Sequence, residues 1–119
     1  MTSRAKKTDE AKTSLAPGAV RDVAGMAPYG EQSIVSRTIV DRSAGTVTLF
    51  AFDAGQGLSE HQAPYDALVH VIEGQAVVVI GGVEHRLGAG CMILMPANVP
   101  HAVRADGRFK MLLTMIRQR

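Results

Sequence analysis

Two histidines, His61 and His101, are the side chains of this 119-residue chain best placed to do chemistry. Each sits where a short apolar run meets glycine and proline. An imidazole titrates near neutrality. A convergent pair can therefore hold an anion or a small polar molecule, or pass a proton with one ring as base and the other as acid. Tyr65 and Asp66 follow Pro64 directly and put a phenol and a carboxylate close to His61. With Gln62, they are candidate ligand-binding residues. Met92, Met95, Met111 and Met115 recur in the second half of the chain; Met92 shares strand parity with Leu94, and Met111 with Leu113 and Met115, so core filling accounts for them. Methionine also lines pockets of imprecise shape. Met92 and Met111 are accordingly read as candidates for an apolar floor beneath a polar mouth. His70 reads as an outward residue at a subunit interface, and His85 as a surface residue. Cys91, the only cysteine, lies in the apolar run Cys91-Met92-Ile93-Leu94-Met95 and is expected to be a small buried hydrophobe; no internal disulfide is possible.

The elements that carry these residues read as strands. After Pro28-Tyr29-Gly30 the chain becomes a series of short apolar runs cut by glycines. Candidate strands are Ser33–Val40, Thr46–Asp53, Ala67–Glu73, Gln75–Ile80, Glu84–Leu87, Met92–Met95, Ala102–Arg104 and Phe109–Ile116. Gly81-Gly82, between Val77-Val78-Val79-Ile80 and Val83-Glu84-His85, is a strong hairpin signal. No helical pattern intervenes, which disfavours a parallel α/β sheet. The fold class is all-β, a sandwich or barrel. Thr46–Phe52, Gln75–Ile80 and Lys110–Ile116 keep apolar residues on both strand faces. One face fills the interior, and the other needs a second sheet or a partner subunit.

Composition narrows the rest. Aromatics make up 4% of the chain and Trp is absent, so the interior is aliphatic. The mean hydropathy of +0.08 adds to the expectation of a homodimer. Residues 1–24 hold five basic and three acidic side chains, and the remainder eight of each, so the net charge of +2 belongs to the leader. That distribution argues against a nucleic-acid footprint. The segment 1–24 is expected to be a flexible basic leader, with at most a short helix over residues 5–15 broken by Pro17-Gly18, and 25–119 a single domain. No apolar run is long enough to span a membrane, the N-terminus does not read as a signal peptide, and cytoplasm is the default location.

Two stretches carry a family resemblance. Gly55-Gln-Gly-Leu-Ser-Glu-His61-Gln-Ala63-Pro-Tyr-Asp-Ala67, closed by Gly74, and Gly90-Cys-Met-Ile-Leu-Met-Pro96-Ala-Asn98-Val-Pro100-His101 closely resemble the two motifs of the cupin family, G-x5-H-x-H-x3–4-E-x6-G and G-x5-P-x-G-x2-H-x3-N. The second histidine of the first motif falls on Ala63 and its glutamate on Ala67. In the second motif Asn98 replaces the glycine, and Ala105 the asparagine. Asn98 can still make the turn, because Asn adopts positive φ at little cost. The resemblance, over roughly residues 33–116, implies a double-stranded β-helix, or jelly-roll barrel, that is usually dimeric. It also implies a divalent metal (Zn, Ni, Fe or Mn) between the motif histidines and glutamate.

The two alanines cut that metal set to His61 and His101, and protein metal sites normally use three or more side chains. Asp66 or Gln62 would have to complete it, from a segment that Pro64 makes irregular. The leading expectation is thus a small-molecule-binding barrel, with any isomerase, epimerase or lyase activity running through the two histidines without metal. A metal-dependent enzyme completed by Asp66 or Gln62 and a non-catalytic ligand-sensing module are the alternatives.

Overall fold

The computed structural model describes residues 13–117. Eight strands follow one 3₁₀ turn at Val23–Met26: β1 Ile34–Arg42, β2 Gly45–Phe52, β3 Gly57–His61, β4 Asp66–Ile80, β5 Val83–Gly88, β6 Met92–Met95, β7 His101–Arg104 and β8 Phe109–Ile116. All pairings are antiparallel. Two sheets share β4. Its first half pairs β6 on one edge and β8 on the other, and β8 continues to β2 and β1. Its second half pairs β5 and β7, and β7 continues to β3. The all-β expectation holds. Gly81 and Gly82 both have positive φ and close the two-residue β4–β5 turn, as the type I′ geometry requires.

The 15-residue β4 runs straight through Gly74, where the sequence reads two strands. A register shift lies between Val71 and Glu73, and Gly74 has φ of 78°. A Cβ at Gly74 would strike the Arg108 carbonyl oxygen and Phe109. The irregularity exchanges strand parity: Ala67, Val69 and Val71 face the interior before it, Ala76 and Val78 after it. One strand can therefore serve two sheets and present apolar side chains to the same core.

That core holds Phe52, Val69, Val71, Val78, Phe109 and Met111, all fully buried, with the Phe52 and Phe109 rings stacked at 4.5 Å. A second cluster covers the outer face of β1 and β2. Ile39, Leu49 and Ala51 pack there under Met26 and Ala27, with Leu15, Val23 and Tyr29 at its edge. The cover for this second apolar face is thus supplied, in part, by the chain's own N-terminal side. Residues 1–12, and with them most of the considered helix over 5–15, lie outside the described residues. The Ser14 and Leu15 amides donate to the carbonyls of Thr38 and Ile39. A polar clasp holds the segment further along: Tyr29 donates to Glu73 at 2.6 Å, and the buried Lys110 ammonium donates to the Ala24 carbonyl and lies over the Tyr29 ring. Burial, and then the Glu73 carboxylate, raise the Tyr29 pKa.

Met92 and Cys91 depart from expectation. Ile93 and Met95 point into the structure, so alternation turns Met92 and Leu94 outward. Cys91 precedes the strand, in the turn after Gly90, and is exposed. No described helix is long and apolar enough to cross a membrane.

Candidate functional site

β3 and β7 are short strands at one edge of the second sheet, and their register sets His61 directly opposite His101. Forty residues separate the two in sequence, yet their rings lie 4.5 Å apart, centroid to centroid, at 73°. The two are not equivalent. His101 is 4% exposed, whereas His61 is open to solvent. Each Nδ1 lies against the backbone carbonyl two residues earlier: His61 on Ser59 at 2.9 Å and His101 on Val99 at 3.1 Å. Burial lowers the His101 pKa, and the neighbouring His61 lowers it further, against the opposing effect of the Val99 carbonyl. His101 is therefore neutral around pH 7.

The pair stands at a cavity of about 400 Å³, its open mouth included, between the two sheets. The other walls are the side chains of Leu58, Ala63, Ala67, Met95, Val103, Met111, Leu113 and Met115. Its floor comes from β4 and β8, whose inward residues Ala67, Met111, Leu113 and Met115 are set by the alternation described above. The chemistry is confined to the rim: two imidazoles over an aliphatic and thioether surface.

The structure brings together His61, His101 and Met111, and separates the other candidates from them. Met92 is 54% exposed on the outer face, remote from the cavity lining. Gln62 is exposed and does not line the cavity. Tyr65 and Asp66 border a different hollow, with Ala97 and Ile116. The Asp66 carboxylate accepts the Ala97 amide at 2.9 Å, and the Asn98 amide donates to the Ala63 carbonyl at 2.7 Å. These two bonds tie the loop after His61 to the turn before His101. Asn98 occupies that turn with φ of 64°, the positive value anticipated for it. Asp66 thus braces the mouth from outside. Leu58, Val103 and Leu113 line the cavity without having been singled out as site residues. Leu58 was hidden because Gly57–His61, largely exposed, carries almost no strand signal.

Ala63 and Ala67 stand in the cavity wall beside the histidines, where the family pattern has a histidine and a glutamate. Their methyl groups offer no lone pair. Among the described residues no three His, Cys, Asp or Glu side chains converge on one point. Two imidazoles alone do not fit a firmly held divalent ion.

Two facing antiparallel sheets joined by one shared strand, with polar side chains gathered at one mouth, define a small ligand-cavity barrel. The chain belongs to the cupin family, whose cupin domain matches residues 48–117. The fold is close to that of a conserved protein of unknown function from Streptococcus pyogenes (32% identity over 88% of this chain and 92% of that one, TM-score 0.83). It is also similar to a cupin superfamily protein from Desulfitobacterium hafniense (25% identity, 87% and 95% covered, TM-score 0.81). A cupin 2 conserved barrel domain protein from Leptotrichia buccalis is 36% identical over 79% of this chain and 46% of that one, with a TM-score of 0.76. No curated protein matches the sequence.

Proposed function

We propose that this chain binds a small molecule in the cavity between its sheets, with His61 and His101 as its polar anchors and without a tightly held metal ion. One observation carries the reading: the two imidazoles are cross-strand neighbours at the mouth of a cavity whose other walls are apolar. A concave apolar site with a few convergent polar groups is the usual form of a small-molecule site. Ala63 and Ala67 support the metal-free part, since they line the cavity where further ligands would be needed. The chemistry such a pair supplies is proton transfer. A neutral, buried His101 is a base near physiological pH, and the solvent-exposed His61 can exchange its proton with water. Isomerisation, epimerisation and elimination are the reaction classes that this serves.

The binding test uses the six methionines as reporters. Methyl-labelled protein is titrated with a panel of compact single-ring compounds. A cavity ligand shifts Met95, Met111 and Met115 and leaves Met92 in place. His61→Ala, at an exposed position, weakens binding at least about tenfold while Tm stays within the small range usual for surface changes. Shifts confined to Met92, or binding indifferent to His61→Ala, would defeat the proposal.

The same reading includes a homodimer in the cytoplasm. Met92, Leu94 and Ile116 are 54%, 49% and 56% exposed and lie on the outer face of the first sheet, in register with His70, Leu68 and Asp66 of β4. This part of the face lies beyond the residues packed under the N-terminal segment. Exposed large apolar side chains on one sheet face favour a second copy. The single, unpaired cysteine fits a reducing compartment.

A further inference from the structure

We infer that the cavity takes a neutral hydroxyl compound, a phenol or alicyclic alcohol with an apolar body, and selects it over carboxylates and phosphates. This rests on the proposed function and assigns its ligand class. The argument begins with the two Nδ1 contacts. A carbonyl oxygen only accepts hydrogen bonds, so the Ser59 and Val99 carbonyls each require a proton on the Nδ1 that faces them. In a neutral imidazole the other nitrogen is then an acceptor. Both rings are held in the same tautomer, by the same local device, and each keeps an Nε2 lone pair for a donor.

The remaining walls offer no second polar partner. Leu58, Ala63, Ala67, Met95, Val103, Met111, Leu113 and Met115 line the cavity, and no Lys or Arg side chain is among them. A carboxylate or phosphate would leave water for a site whose only polar groups are lone pairs. The apolar walls offer it no N–H donor. A hydroxyl meets the site as it stands: its O–H donates to an Nε2, and its carbon skeleton covers the methionines and leucines.

The test compares matched single-ring probes on the full chain in chelator-treated buffer at about pH 7.5: phenol, cyclohexanol, benzoate and toluene. Methionine methyl spectra locate each probe, and titration gives its Kd. The inference predicts that phenol and cyclohexanol shift Met95, Met111 and Met115 and bind about tenfold or more tighter than toluene and benzoate, the effect of one added hydrogen bond. Nitrogen-15 spectra of the histidine rings must show Nδ1 protonated in both. His61→Leu must narrow the phenol-to-toluene ratio without abolishing toluene binding. Tightest binding by benzoate, equal binding of phenol and toluene, or a proton on Nε2 would overturn the inference while leaving the cavity reading intact. Failure of all four probes to move the three methionines, or binding only after Zn²⁺ is added, would overturn both.

Discussion

His101 combines near-complete burial with a titratable ring, and that combination makes folding sensitive to pH. Its pKa is lowered from the ordinary 6.5 by burial and by His61, so between its folded and unfolded values the unfolded chain binds more protons than the folded one. Stability contributed by the neutral ring is complete above pH 6.5 and is lost as the pH falls through the folded value, with a slope of at most about 1.4 kcal/mol per pH unit for one group. We expect urea unfolding of the wild type to lose stability as the pH falls below about 6.5, and His101→Gln to flatten part of that loss. An identical pH dependence in the variant would contradict it. The importance of His101 is visible in sequence, from its spacing after Gly90 and Pro96. Its burial and its bond to Val99 are not, because both depend on the strand it pairs with.

At the scale of elements, β4 decides the architecture and β3 decides the site. Gly74 lets β4 change sheets, at a positive φ and against the Arg108 carbonyl. Gly74→Ala adds both backbone strain and a steric clash. We expect a destabilisation of about 1–3 kcal/mol, read as a lowered midpoint in denaturant; a change below about 0.5 kcal/mol would show that the bend tolerates a Cβ. Sequence reading stops a strand at this glycine because glycine usually punctuates. Only pairing with β5 and β7 beyond it shows that the strand continues. β3 is the opposite case. Gly57–His61 is short and largely exposed, so it lacks the apolar alternation by which strands are recognised. Its identity comes from pairing with β7, and that pairing is what carries His61 to His101. The bond from Ala97 to Asp66 belongs to this scale also: a carboxylate near His61 was legible, but its direction was set by the turn it braces.

At the scale of the whole molecule, the second apolar face is the open question that sequence posed, and the chain answers half of it. Leu15, Val23, Met26 and Ala27 cover Leu49 and Ala51, while Met92, Leu94 and Ile116 stay exposed on the same sheet. For the proposed dimer we expect sedimentation at micromolar concentration to give twice the chain mass, and Leu94→Asp to give a monomer with its Met95, Met111 and Met115 methyl signals unchanged. A monomeric wild type would remove the dimer and leave the cavity untouched. The sequence by itself determined the all-β class, the Gly81-Gly82 hairpin, the positive φ at Asn98, the loss of metal ligands at Ala63 and Ala67, and the two histidines worth attention. These follow from local residue chemistry, from period-two patterning and from motif spacing, and need no knowledge of the partner strand. The tertiary structure alone decided that His61 faces His101, that Asp66 and Met92 turn away from them, and that an apolar floor lies beneath. Those relations join residues far apart in the chain, and only the register of paired strands brings them within reach of one another.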